Sequence, residues 1–242
     1  MNQPARYFAR VCVFILPGAD MRNGRLERDF QIARDIWGVD FDLNVLKVDG
    51  RNPVFSNLSS RDFTCEGSGD TAIERQLFEL KRIYSPDDST VAVFYTGTNT
   101  IAGSARACTK RRRVIGSPQL SFMNVVFISN TFAPDTLAHE IGHTFFFSHP
   151  VNRRDADLDT PGIQNHVEGN PTNVMAPGHI RTFPTTATPE QIQRALQSNS
   201  PQVIFERPGF NFGDSPRGTY EPIDRRTLHR FPYDDQLWPG DF

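Results

Sequence analysis

Four residues near the middle of the chain have the types and spacing for metal chemistry. They are His139, Glu140, His143 and His149, in the run HEIGHTFFFSH. His139 and His143 are four residues apart, so on a helix both imidazoles leave the same face, one turn apart. Two such imidazoles can share a zinc ion, which takes neutral imidazole nitrogen at about 2.0–2.1 Å. Glu140, beside the first histidine, is placed to take a proton from a water on that ion. His149 follows His143 by six residues, too far round to stay on one face of a straight helix. It closes a three-histidine site only if the chain turns after about residue 146. Three protein ligands with one open position is the catalytic form of zinc, whereas structural sites are closed by four. Asp155, Asp157 and His166 stand nearby as alternative third ligands.

A second element lies downstream. Asn173-Val174-Met175-Ala176-Pro177 sets turn-forming residues around a methionine. A core Met filling a gap is the plain alternative. H-E-x-x-H-x-x-x-x-x-H followed by a short turn around Met resembles the metzincin clan of zinc metallopeptidases. The resemblance implies zinc ligands at His139, His143 and His149, a general base at Glu140, and a Met-turn at Met175 forming a hydrophobic floor beneath the metal. It implies a zinc-dependent endopeptidase acting on protein or peptide substrates, with Glu140 assisting attack by a zinc-bound water. Asp159-Thr160-Pro161 is also similar to a D-T-P element that follows the zinc motif in the pappalysin branch.

One position departs from the clan pattern. The clan has Gly three residues after the second histidine, where the chain turns; this chain has Phe146. Gly accepts positive φ without a Cβ clash, and Phe does not. Either Phe146 is strained or the turn is made elsewhere, for instance at Ser148. This departure and the aromatic tail motivate a second reading. In it, the chain is a metzincin-fold binding or toxin/effector module, latent or inactive, with zinc mainly structural.

The elements that must position these residues follow from periodicity. Residues 11–16 are a continuous apolar run closed by Pro17-Gly18, which reads as a buried strand. Leu26, Phe30, Ala33 and Trp37 recur at helical spacing and Gly38 stops them. Residues 39–48 alternate as a half-buried strand, and residues 49–69 read as loop. Asp70-Thr71 opens a second helix with Ile73, Leu77, Leu80 and Ile83 on one face. Residues 91–96 and 124–129 are further strands, and Pro134-Asp135-Thr136 opens the zinc helix, with Leu137, Ile141 and Phe145 behind it. Thr188 and Pro189 start a last helix as N-cap and first residue.

Strand and helix alternate, which predicts a twisted mixed sheet with helices against it, and with the clan resemblance the expected class is α+β with an α/β-type N-terminal lobe. The clan resemblance implies a metzincin-like twisted mixed sheet, an active-site helix and a smaller irregular C-terminal lobe. It also implies an edge strand before the zinc helix, on which the substrate pairs antiparallel. The small residues of 98–107 suit that role: Ile101, Gly103 and Ala105 are the substrate-binding candidates, against an ordinary hairpin strand as the alternative. Domain boundaries are expected at 1–199 for the catalytic unit, with lobes of about 10–149 and 150–199. Residues 200–242 form an aromatic and Pro-rich extension, an arm packing on its own domain or on a protein partner.

Composition narrows the rest. The formal net charge of -2 gives nucleic acid no dominant electrostatic footing. The one basic run, Lys110-Arg111-Arg112-Arg113, reads as a solvated loop between strands. No stretch approaches the ~20 apolar residues of a membrane span. Asp155, Asp157 and Asp159 alternate in a loop and are a candidate calcium site, though they lack the Gly and distal Glu of an EF-hand. The three cysteines, Cys12, Cys65 and Cys108, form no C-x-x-C pair, and Cys65–Cys108 is the preferred disulfide. The only apolar run near the start is too short for a signal core. The expected location is secreted or exported, through a removed leader or a non-classical route.

Overall fold

Parallel strands make the centre of this computed structural model, which describes residues 6–65, 70–85, 90–113, 122–147, 167, 169–196, 204–207 and 221–222. Five strands form the body of the sheet: β1 (Arg6–Ile15), β2 (Asp40–Lys47), β3 (Val91–Tyr95), β4 (Ala107–Arg113) and β5 (Phe122–Ile128). They lie in the order β2-β1-β3-β5-β4. All run parallel except β4, which is antiparallel to β5 and ends the sheet. Four helices accompany them among the described residues: α1 (Arg25–Trp37), α2 (Ala72–Tyr84), α3 (Thr136–Phe147) and α4 (Pro189–Leu196). The fold is therefore α+β around a mixed sheet, as the alternation of elements predicts.

Both faces of the sheet are covered, which is why β1 reads as an unbroken apolar run. Val11, Val13 and Ile15 enter one core with α1 and α3. Cys12, Phe14 and Leu16 enter the other, with Leu77, Phe78 and Leu80 of α2. On that second face Phe14 and Phe94 stack with ring centroids 4.6 Å apart, and Phe127 continues the row 5.7 Å from Phe94. Each buried ring contributes roughly 1.5–3 kcal/mol. α1 ends at Gly38, whose φ of 64° lets its N–H reach the Arg34 carbonyl. α2 starts on a capping box between Thr71 and Glu74.

Three expectations need correction. The strand expected over residues 98–107 is a tight turn: Ile101 and Ala105 exchange both backbone hydrogen bonds, with Ala102 and Gly103 at positive φ between them. The edge strand is β4, which contains the basic run expected to be a loop. Lys110 is buried there because Asp70 and Glu74 each meet its Nζ at 2.9 Å and the Thr64 hydroxyl at 2.5 Å. Ile83 is 48% exposed, and the buried arc of α2 runs instead through Glu74, Leu77, Phe78 and Lys81. Of the two routes left open at Phe146, the structure has the one without strain there: Phe146 lies inside α3, which continues to Phe147.

Two pieces of the expected C-terminal extension join the sheet. β6 (Ile204–Arg207) pairs antiparallel with residues 6–9 of β1, and β7 (Glu221–Pro222) pairs parallel with the end of β2. β7 is the strand at the end of the sheet opposite β4, whereas β6 pairs with the start of β1 on the side facing away from β2. Among the described residues, no helix is long and apolar enough to cross a membrane.

Candidate metal and proton-transfer site

α3 carries His139, Glu140 and His143, each less than a tenth exposed. Its Asp135 lead-in is held by residues that follow the Met175 turn: Asp135 accepts a hydrogen bond from the Thr185 hydroxyl at 2.8 Å and pairs with Arg181 at 3.0 Å. Behind the helix, the Trp37 indole donates to the Ala138 carbonyl at 2.8 Å. Gly142 fills the gap between these contacts. A Cβ there would lie 2.5 Å from both Met175 Sδ and Trp37 Cζ2. The helix can approach α1 and the Met175 turn this closely only because residue 142 has no side chain.

The turn around Met175 is built from local hydrogen bonds. Asn173 accepts from the Met175 N–H through its side chain at 2.8 Å and from the Ala176 N–H through its carbonyl at 2.9 Å. Its amide also exchanges hydrogen bonds with Gln191 of α4. Gln191 in turn caps α4 with Thr188. Nothing but the T-x-x-Q spacing of that capping box marks Gln191 in the sequence. The product is a fixed carbonyl, that of Val174, aimed at His139.

The Val174 oxygen lies 2.7 Å from His139 Nδ1. A carbonyl can only accept, so Nδ1 carries the proton and the lone pair of the neutral ring sits on Nε2. That Nε2 is 3.2 Å from Nε2 of His143. Two nitrogens bound to one tetrahedral zinc at the usual lengths are about 3.3 Å apart. The two rings stand nearly perpendicular, 87° between planes. The described donor set thus fits two corners of a zinc site, with the second-sphere carbonyl such sites need.

Glu140 points towards β4. Its Oε2 accepts from the Thr109 hydroxyl at 2.6 Å, and the same hydroxyl is 2.9 Å from the Glu140 backbone oxygen. Burial pushes this carboxyl up to about 7, while the Thr109 hydrogen bond and the Arg181 charge pull it down. A divalent cation beside it would lower it further.

The remaining candidates fall in three groups. His149, Asp155, Asp157, Asp159 and His166 lie outside the described residues. Ile101, Gly103 and Ala105 belong to the tight turn before β4, not to the edge strand, and Ile101 is wholly buried. The three cysteines are free thiols. Cys65 and Cys108, the expected pair, share a hydrogen bond, and Cys12 is a buried thiol whose pKa burial pushes up to about 12. Sequence reasoning missed Thr109, Gly142, Val174 and Gln191, which act through a hydroxyl, a missing side chain, a carbonyl and a cap.

No protein-family model matches the chain, and no curated protein sequence does. Among solved structures it is similar to metalloproteinase-II from Bacteroides fragilis, with a TM-score of 0.49 and 12% sequence identity over 81% of this chain and 53% of that one. The chain spans about half the length of that structure, and the likeness is one of outline that assigns no chemistry.

Proposed function

We infer that the chain is a zinc-dependent endopeptidase of the metzincin type. The observation that supports this most is the pair of facing Nε2 atoms, 3.2 Å apart, with the His139 tautomer set by the Val174 carbonyl. His139 and His143 would supply two ligands and His149 the third, with Met175 as the Met-turn. Zinc, when bound, supplies Lewis-acid polarisation of a carbonyl and makes a water easier to deprotonate. Glu140 then takes the proton of the attacking water on its carboxylate and delivers it to the leaving amine. Its buried setting keeps that carboxylate away from competing solvent. An extended substrate would lie antiparallel along β4, the strand that ends the sheet and runs beside α3.

The test is zinc stoichiometry and cleavage of a mixed-peptide substrate on one purified sample, repeated with Glu140→Gln. One zinc per chain is expected in both proteins, with cleavage reduced about 10²- to 10⁴-fold in the variant, the range for loss of a general base. Cleavage at the same rate in both would overturn the reading.

A further inference from the structure

We propose that Thr109 is a positioning residue for the general base: it tethers one oxygen of Glu140 so that the other meets the reacting water. This rests on the peptidase reading above.

Thr109 is buried in β4 and reaches across to α3 with its hydroxyl. It meets Oε2 at 2.6 Å and lies 2.9 Å from the Glu140 carbonyl oxygen, so one hydroxyl faces both the side chain and the main chain of the base. Oε1 accepts no hydrogen bond from the described residues. The carboxylate is therefore held at one end, and its remaining lone pairs stay available. Thr is suited to this task because its β-branch leaves χ1 few choices in a strand.

The strand itself is anchored from the other side. Side chains alternate along β4, so Cys108 and Lys110 face away from α3. Lys110 is tied to Asp70, Glu74 and Thr64, and the Cys108 thiol donates to the Thr64 carbonyl at 3.5 Å. These contacts fix the height of β4 relative to α2. The intervening residue then projects at a defined height towards Glu140. Lys110 thus has a use that its charge alone does not suggest. It sets the register of the strand that aligns the substrate in the proposed mechanism, and the same strand holds the base. A shift of β4 would misplace both together, and misplacement by about 1 Å can cost about a hundredfold in rate.

The test compares Thr109→Val, which keeps the shape and removes the donor, with Thr109→Ser, which keeps the donor. Both are made in the full chain, with Glu140→Gln and the Val/Gln double variant alongside. The Val variant is expected to lose about tenfold to a hundredfold in kcat, with KM unchanged and one zinc retained. The Ser variant should recover most of the rate, and the double variant should be no slower than Glu140→Gln alone. In zinc-free protein, the shift in urea midpoint caused by Thr109→Val should shrink in a Glu140→Ala background, where the carboxylate partner is gone and only the contact with the residue 140 carbonyl remains. Wild-type kcat in the Val variant, a Ser variant as slow as Val, loss of zinc in step with rate, or additive midpoint shifts would each overturn the positioning role alone. Absence of Glu140-dependent cleavage in the wild type would remove the peptidase reading, and the positioning role with it.

Discussion

Val174 serves the site through its main-chain oxygen, 2.7 Å from His139 Nδ1, and Gly142 serves it by having no side chain. Neither role shows in the residue type alone. H-E-x-x-H leaves its two central positions open, so the motif names the histidines and the glutamate but says nothing of what faces residue 142. Only the packing does: Trp37 from α1 and Met175 from the turn converge there. Gly142→Ala should cost about 1–3 kcal/mol through overpacking. For a chain of this size that is a fall in Tm of roughly 2–4 °C per kcal/mol, readable by calorimetry. The strain also pushes Met175 away from the helix, so zinc affinity should fall in the same variant. An unchanged Tm would mean that the turn and α1 move apart freely.

At the scale of elements, periodicity located α1, α2, α3 and the parallel strands because their apolar positions follow the backbone repeat. It failed at β4, where the side chains are basic. A strand carrying Lys110 and three arginines looks solvated, and nothing local reveals that Glu74 and Asp70, far back in the chain, neutralise Lys110 in the interior. The small residues before β4 drew the edge strand to the wrong place, because Gly and Ala serve a tight turn as readily as an exposed edge. Glu74 also caps α2 and accepts from the Thr64 N–H and hydroxyl. Glu74→Ala should therefore destabilise by about 3 kcal/mol, the lower end for breaking a buried pair, since Asp70 still faces Lys110. Urea unfolding checks this. A loss under about 1 kcal/mol would show that the cluster is less dry than its burial indicates.

Across the whole molecule, the two ends of the sheet are treated differently. At one end β4 is the last strand; β6 and β7, from the C-terminal segment, add to β1 and β2. Composition led to the expectation of an arm over residues 200–242, of which the described residues are β6 and β7, and strands of four and two residues have too little pattern to be placed by sequence. Removal of residues 200–242 should lower Tm and promote self-association through the bared β1 and β2. Light scattering and calorimetry on the truncated chain measure both. Cleavage should not rise, whereas a latent form blocked by its tail would gain activity on truncation.

The hydrogen bond from His139 to Val174 also orders events in time. His139 leaves the ribosome well before the segment that orients it. Until residue 174 has been made and folded back, the imidazole is free to exchange its proton between nitrogens, and its partner ring has no fixed companion. In the proposed peptidase, the orientation of His139 would thus arrive late, when the Met175 turn closes on the helix.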